Sequence, residues 1–458
     1  MPSVVLNRVE RGRYLDSVAA MRLSRRLESL PGIEGAALMI GSPSNKTLLR
    51  DAGLLAGDGE AAGANDLVIA VRASDEGAGR RALDSALTLG PEKSESLPHA
   101  RSLGGAMKFL PQANLALISV PGDFAALEAR KALDAGLHAL VFSSGVALEE
   151  ERALKRLASE KGLLLMGPDC GTALIAGTPI AFANAVPRGD IGIVSASGTG
   201  LQEVSCLIAR LGGGVSHGIG VGGRDLDQQV GALGTLAALD ALEADPATKT
   251  IVLLSKPPAP RVAEEVLARL SGSKKRSVVC FLGLDKPGLA HTLREAAEMA
   301  TGRKIEHERP AKPTRASPRL VHAYYCGGTL CNEAELIFRR LGLAGHRFVD
   351  LGDERYTRGR PHPMIDPELR NDHIARAIVD PEVGVILVDL VLGFGSHPDP
   401  AGILLKNPMT KTFVASVTGT EADPQVRSRQ VARLREAGVL VAPSNAHAAE
   451  WAAALVTY

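Results

Sequence analysis

The sequence predicts a multidomain α/β protein in which a small N-terminal α+β unit precedes larger parallel sheets. The chain has 458 residues, enough for three or four domains of roughly 100–200 residues each. From Ala113 onwards, continuous apolar runs alternate with helical patterns, which is typical of strands buried on both faces of a parallel sheet. A strand, a Gly-rich turn and a helix then occur twice, which indicates a duplicated domain.

Residues 1–90 are predicted to form the small α+β unit. Strands are expected near Val4–Val9, Ile33–Ile40 and Asp66–Val71. The helix predicted over Tyr14–Leu27 carries its apolar residues on one face, namely Leu15, Val18, Ala19, Leu23 and Leu27. The stretch Gly90–Gly105 contains Pro, Ser, Glu and Lys without periodicity, so it is predicted to be a linker.

A truncated Rossmann-like domain is predicted over residues 106–186. Its strands are expected at Leu115–Val120, Leu137–Phe142 and Leu163–Met166, separated by helical patterns. The unit ends in the turn Gly167–Thr172, which follows a strand. Ligands of open α/β sheets bind at the carboxyl ends of strands, so this turn lies at a favourable edge.

Two copies of a further α/β domain are predicted over residues 188–302 and 319–458. They are joined by a charged, Pro-containing linker over residues 303–318. Each copy contains a strand, a turn of small residues and a helix, then a Gly/Asp turn, and finally an Asp-Pro pair before another strand. The first turns are Ser195–Gly200 and Gly327–Thr329, the Gly/Asp turns are 222–225 and 350–353, and the Asp-Pro pairs are 245–246 and 380–381.

Composition excludes several classes of function. The formal net charge is +1 and the sequence pI is about 7.7, so no global basic field would attract nucleic acid or an anionic membrane. The five cysteines form no CxxC motif and have no histidine at zinc spacing, so no metal site is predicted and a reducing cytoplasm is expected. No signal peptide pattern and no apolar run long enough to span a membrane is recognised.

The small-residue turns are the candidate anion sites. The first N–H groups of a helix lack intrahelical partners, and the helix dipole adds partial positive charge there. Small side chains let an anion approach these N–H groups, and hydroxyls add further donors. The alternative is a plain helix cap in a tight turn. The candidate phosphate-binding residues are Ser197, Gly198, Thr199, Gly200, Gly327, Gly328 and Thr329.

Two other segments carry candidate polar groups. Lys256 follows a strand and could direct its ammonium group towards an anion at the same sheet edge, although a solvated lysine is the alternative. The Pro-rich loop Gly359–Pro367 carries Arg360, His362 and Asp366, and Arg370 follows it. Proline stiffens such a loop, arginine suits bidentate recognition of carboxylate or phosphate, and histidine can act as acid or base.

Several of these motifs resemble the FdrA family, a branch of the succinyl-CoA synthetase superfamily of NDP-forming acyl-CoA synthetases. The similar segments are 41–46, 167–172, 195–200, 222–226, 255–258 and 359–367, so the likeness covers nearly the whole chain. The resemblance implies a truncated CoA-binding-like Rossmann domain followed by two flavodoxin-like ligase domains. It also implies that the helix N-termini at Ser195–Gly200 and Gly327–Thr329 clasp a phosphoryl group during acyl-phosphate chemistry.

Two motifs of the superfamily are missing from this sequence, and their absence favours one reaction over another. A synthetase carries its phosphorylated histidine in a Gly-His-Ala-Gly run, whereas the strand Val278–Leu282 runs into Gly283–Gly288. The Gly-rich turn that would hold CoA phosphates has no counterpart before Leu115, which argues against CoA as a ligand. The resemblance then favours a subunit of an oxamate carbamoyltransferase of purine (allantoin) catabolism, acting with two other subunits on carbamoyl phosphate, phosphate and a small acid or amide.

On this interpretation Arg360, His362 and Lys256 are the candidate catalytic residues. Gly223, Arg224, Asp366 and Arg370 are the candidate substrate-binding residues, and Arg360 and Arg370 are expected to hold an acceptor carboxylate. Two alternatives stay open at this point. One is a working acyl-CoA synthetase that depends on CoA and a nucleotide, and the other is a non-catalytic subunit that organises partner chains.

Overall fold

The computed structural model describes residues 3–13, 15, 17–88, 100–306, 320–357 and 361–457. Its contacts divide the chain into two compact units, Met1–Leu163 with Arg358–Pro361 and Leu164–Thr357 with His362–Tyr458. The α/β class predicted above is confirmed, because parallel sheets make up most of the second unit. The finer domain boundaries stay predictions.

The first unit opens with a three-stranded antiparallel sheet in the order β1-β3-β2. Its strands match the predicted ones closely, and the helix predicted from Tyr14, a residue outside the described part, begins at Ser17. Alternate residues of β3 enter two separate cores, one under α1 and α4 and one near α2, so the sheet is covered on both faces. The elements are β1 Val4–Glu10, α1 Ser17–Glu28, β2 Ile33–Ile40, α2 Pro43–Asp51, α3 Gly57–Glu60, β3 Leu67–Ala73 and α4 Glu76–Thr88.

The rest of the first unit contains two parallel strands with intervening helices. Strands β4 and β5 pair from Leu115 with His138 to Ile118 with Val141. The linker predicted over Gly90–Gly105 is partly wrong, because Ser102 caps a helix that begins at Leu103. Residues 90–99 of that linker lie outside the described residues. The elements are α5 Leu103–Phe109, β4 Leu115–Ile118, α6 Gly122–Asp134, β5 His138–Val141 and α7 Leu148–Glu160.

The second unit contains the duplicated domain. Its two sheets have the orders β12-β11-β9-β10-β7-β8 and β14-β13-β15-β16-β17. Counted from β9 and from β13, both run in the order 2-1-3-4, which is the flavodoxin-like arrangement expected for the two copies. The first copy adds the antiparallel hairpin β7-β8 beside β10, and the second adds β17. The predicted linker 303–318 lies outside the described residues from 307 onwards.

From β9 onwards, helices connect the parallel strands of each copy. The second unit opens with the short strand β6 Leu165–Met166, which is not part of the sheet of the first copy. The first copy comprises β7 Thr172–Ile175, β8 Thr178–Ala181, β9 Arg188–Ser195, α8 Gly198–Arg210, β10 Val215–Gly220, α9 Leu233–Ala244, β11 Thr250–Ser255, α10 Pro260–Ser271, β12 Arg276–Phe281 and α11 Leu293–Thr301. The second comprises β13 Leu320–Tyr325, α12 Gly328–Arg340, β14 Arg347–Asp350, α13 Glu354–Thr357, α14 Glu368–Val379, β15 Val383–Val391, α15 Pro400–Leu404, β16 Thr412–Thr418, α16 Arg427–Glu436, β17 Leu440–Ala442 and α17 Asn445–Val456.

None of the helices in the described residues is both long and apolar enough to cross a membrane.

Candidate functional site

The two small-residue turns lie in direct contact. Ser197 caps α8 by accepting the Gly200 N–H at 2.9 Å, and its hydroxyl donates to Thr329 Oγ1 of the second turn at 2.6 Å. A Cβ on Gly327 would lie 3.0 Å from the Thr199 side chain, so glycine at this position lets the turns approach each other. The two helix N-termini that were predicted from the sequence to act as a pair therefore lie next to each other in the structure.

Hydrogen bonds within the protein occupy most of the first turn. The Ser195 hydroxyl accepts the Ser197 N–H at 3.1 Å and donates to the Ser197 carbonyl at 2.7 Å. The Ser197 hydroxyl proton is already engaged with Thr329. The Gly198 and Thr199 N–H groups are the two at this turn without an acceptor in the described residues, and the second turn offers three.

Asp389 anchors the second turn from beneath. Its carboxylate accepts the N–H groups of Cys326 and Gly327 at 2.8 and 2.9 Å. The Arg370 guanidinium lies 3.5 Å from the same carboxylate, and Arg370 is 2% exposed. Burial raises the pKa of Asp389, opposed by Arg370 and by the backbone donors. Arg370 thus neutralises a carboxylate of the chain itself, in contrast to the predicted role of facing a substrate.

The first turn of α12 offers three backbone donors. No acceptor within the described part of the chain hydrogen-bonds to the N–H groups of Gly328, Thr329 or Leu330. The helix dipole adds partial positive charge at this point. This helix start can therefore receive an anion.

Three polar side chains surround this helix start. A Cβ on Gly328 would lie 3.3 Å from Lys256 Nζ and would collide with Asp350 Oδ2. A Cβ on Gly352 would lie 2.7 Å from His362 Nε2 and 3.2 Å from Asp350 Oδ1. The absence of side chains at the two glycines leaves the space into which the polar groups point. We call Lys256, Gly328, Asp350, Gly352 and His362 the α12 cradle.

His362 is a hydrogen-bond donor in this arrangement. Burial lowers the pKa of His362 to about 4, so the imidazole is neutral at neutral pH. Its Nδ1 accepts the Met364 N–H at 3.2 Å, which assigns the proton to Nε2. His362 can therefore donate a hydrogen bond from Nε2–H, and its role as acid or base stays a prediction.

The other predicted site residues lie on separate turns. Arg360 falls outside the described residues. Asp366 accepts the Glu368 N–H at 3.2 Å at the start of α14. Gly223 and Arg224 are exposed on the turn after β10. In that turn Asp225 is the buried residue, and it caps α9 by accepting the N–H groups of Gly234 and Thr235 at 2.9 and 2.7 Å.

Two buried glutamates link the copies, and the sequence analysis assigned them no role. Glu203 of α8 accepts the Asn445 N–H at the start of α17 at 3.0 Å. Glu333 of α12 accepts the Leu293 N–H at the start of α11 at 2.6 Å. Each carboxylate thus caps a helix of the other copy, and we call this pair of contacts the crossed caps. The sequence contained a signal for this pair, because each glutamate stands four positions after the threonine of its turn.

Glu333 makes the stability of this junction depend on pH. Burial raises the pKa of Glu333 from 4.5 to about 7. The folded protein therefore holds a proton that the unfolded chain releases, and the free energy of unfolding should fall as pH rises from about 4.5 to about 7. Glu333→Gln should flatten this dependence, as measured by urea unfolding at several pH values. An unchanged slope in Glu333→Gln would contradict the assignment.

Comparisons with known proteins match both ends of this architecture. Residues 324–455, which include α12 and its turn, match the CoA-ligase family. Residues 3–100 match the family described as AllF, heavy metal-associated domain. These residues contain no cysteine, and in the described chain no group of three His, Cys, Asp or Glu side chains is placed to hold a metal.

One relative is similar over almost its entire length. The uncharacterized protein YahF of Escherichia coli K12 is 41% identical over 487 aligned positions, which cover 94% of this chain and 95% of that protein. The chain belongs to the YahF family. The CoA-ligase match and the succinate–CoA ligase relative below each cover only part of the chain, so this YahF family member is similar to the succinyl-CoA synthetase superfamily over part of its length.

More distant relatives of this YahF family member have stated activities. Subunit alpha 2 of an ADP-forming succinate–CoA ligase from Archaeoglobus fulgidus is 31% identical over 180 positions, covering 38% of this chain and 61% of that subunit. A structure of the dinucleotide forming acetyl-coenzyme A synthetase 1 of Ca. Korarchaeum cryptofilum, with phosphate and ADP, is 19% identical, with a TM-score of 0.34 over 80% of this chain and 86% of that chain.

Proposed function

We propose that this protein binds the phosphoryl group of an acyl phosphate in the α12 cradle and takes part in acyl transfer. The observation that carries the proposal is the convergence of donors at one point. The Lys256 ammonium lies beside Gly328, the His362 Nε2–H points to the neighbouring Gly352, and the N–H groups of the first turn of α12 have no acceptor in the described chain. Preorganised donors of this kind stabilise the negative charge that develops on a departing phosphate.

Acyl-CoA synthetase chemistry is the reaction class that the relatives favour. The sequence relative named above with a stated activity is a subunit of an ADP-forming succinate–CoA ligase. In such chemistry the thiol of CoA attacks the carbonyl carbon of the acyl phosphate, and phosphate leaves. The α12 cradle would hold the leaving phosphate.

Carbamoyl transfer is the second candidate, and one feature of the sequence favours it. After β12 the chain continues as Gly283-Leu284-Asp285-Lys286, with no histidine in this run to carry a phosphoryl group. Carbamoyl phosphate arrives already activated, so its use needs no phosphorylated histidine. On this view the protein acts as an FdrA-type subunit with partner chains and an oxamate-like acceptor.

Ligand binding to the purified chain tests the proposal. Lys256→Met removes the cationic partner of the phosphoryl group, so the Kd for carbamoyl phosphate, acetyl phosphate or inorganic phosphate should rise about 10–100-fold, as expected for one lost charge-assisted contact. Isothermal titration calorimetry measures this change. Lys249→Met is a matched control, because Lys249 is an exposed lysine whose side chain is 77% accessible. Equal affinity in Lys256→Met and the wild type would refute the site.

Turnover assays separate the two candidate reactions. The protein is purified with its natural partners and supplied with either ATP, CoA and a panel of carboxylic acids or carbamoyl phosphate and a panel of small acids and amides. Formation of acyl-CoA supports the ligase reaction. Acceptor-dependent release of phosphate from carbamoyl phosphate supports the transferase reaction instead.

A further inference from the structure

Asp350 is the carboxylate of the α12 cradle, and one of its two oxygens accepts no hydrogen bond from the described residues. Its Oδ1 accepts the Gly352 N–H at 2.9 Å, which fixes the orientation of the carboxylate. No hydrogen bond from the described residues engages Oδ2, which lies against Gly328 near the Lys256 ammonium. The anchored oxygen holds the group in place, and the other is directed into the space proposed for the acyl phosphate.

Neighbouring carboxylates of the same sheets differ from Asp350 in this respect. The carboxylate of Asp225 accepts two backbone N–H groups and the Thr235 hydroxyl, and that of Asp389 accepts two backbone N–H groups beside Arg370. Both have the saturated bonding of structural caps. Asp350 has one such bond and a basic neighbour, an arrangement suited to exchanging a proton.

The two copies of the domain differ at the strand end that carries Asp350. Asp350 pairs with Tyr325 in the register of β14 and β13, and Gly220 pairs with Ser195 at the same place in the first copy. The first copy therefore carries no side chain where the second carries a carboxylate. Since the two folds are otherwise equivalent here, the carboxylate is not required to build this strand end.

We propose that Asp350 is the catalytic residue that accepts the proton of the attacking acceptor in acyl transfer. This inference rests on the proposed function. The Lys256 ammonium has no lone pair with which to accept a proton, and the acceptor nitrogen of His362 is occupied by the Met364 N–H. Of the three polar side chains of the α12 cradle, Asp350 is thus the one able to take up a proton.

In the proposed acyl transfer, one bond to the acyl carbon forms and another breaks. The nitrogen or sulfur of the acceptor forms a bond to the acyl carbon, and its proton passes to Asp350 Oδ2. The bond between the acyl carbon and the phosphate oxygen breaks, and its electron pair leaves with the phosphate, which Lys256 and the α12 N–H groups hold. In the reverse direction protonated Asp350 returns the proton to the departing acceptor. Burial raises the pKa of Asp350 above its ordinary value, which makes its carboxylate a stronger base.

Asp350→Asn tests the assignment, because it preserves shape and removes the basic oxygen. In the complex with natural partners, kcat should fall about 100-fold or more, the usual contribution of general acid–base catalysis. The acidic limb of the pH–rate profile should disappear. The Kd for inorganic phosphate should stay equal or fall, since a negative charge near the anion has been removed. Asp372→Asn, at an exposed aspartate on α14, is the control and should match the wild type.

Three outcomes are decisive. A rate for Asp350→Asn within about threefold of the wild type, or an unchanged acidic limb, overturns the inference while the phosphate site tested through Lys256→Met still stands. Loss of phosphate binding together with a lowered melting temperature in both Asp350→Asn and Asp350→Glu indicates a structural role and also overturns it. If the wild type binds no phosphate or acyl phosphate, the proposed function fails and the inference fails with it.

Discussion

Asp389→Ala should lower the free energy of unfolding by about 3–5 kcal/mol, the range measured when one partner of a buried ion pair is removed. The substitution leaves the Arg370 guanidinium buried without its carboxylate. It also removes the acceptor of the Cys326 and Gly327 N–H groups, which fixes the approach to α12. Urea unfolding followed by circular dichroism measures the loss.

Asp372→Ala is the matched control for Asp389→Ala, because Asp372 is an exposed aspartate on α14. Its effect should stay within about 0.5 kcal/mol, as is usual for surface substitutions. Asp389→Asn should fall between the two, since one amide oxygen can accept only part of what the carboxylate accepts. Equal stability of Asp389→Ala and the wild type would mean that the pair with Arg370 does not hold the second turn.

Glu333→Ala should lower the free energy of unfolding by about 2–5 kcal/mol, because two buried donors lose their acceptor at about 1–3 kcal/mol each. These donors are the Leu293 N–H at 2.6 Å and the Asn445 side-chain amide at 2.8 Å. The measurement is again urea unfolding, at a pH near 6 where the carboxyl is mostly protonated in the fold and still accepts both bonds.

Glu335→Ala controls for the helix itself. Glu335 lies on α12, its side chain is 46% accessible, and it pairs with Arg339 on the surface. Such a pair contributes about 0.3–0.5 kcal/mol, so the expected loss is small. A loss in Glu333→Ala no larger than that in Glu335→Ala would show that the buried contacts of Glu333 are not stabilising.

Patterns that are local in sequence were predictable. The strands β9 and β13, the turns that follow them and the duplication were all inferred from short runs of residues, and the observed order of strands agrees. The turn at Ser197 and the turn at Gly327 were also correctly paired, because both stand at carboxyl ends of equivalent strands. Periodicity and turn chemistry act over a few residues and are therefore legible in one sequence.

Roles that depend on distant partners were not predictable. Arg370 was expected to face a substrate, and its position against Asp389 follows from the packing of α14 on β15. Asp350 was noted as part of a turn, but its proximity to Lys256 depends on the meeting of two copies of the fold. The helices α2, α3 and α4 were missed because the strands of this unit gave the clearer signal.

The crossed caps also bear on how the duplicated half of the molecule could be divided. A fragment ending after α11 would retain Glu203 without the Asn445 N–H, and it would leave the Leu293 N–H without Glu333. A fragment beginning at β13 would retain the Asn445 N–H without Glu203, and it would retain Glu333 without the Leu293 N–H. Separately produced fragments should therefore aggregate or remain poorly folded alone, whereas co-expression should restore a soluble, non-covalent pair through complementation of both helix ends.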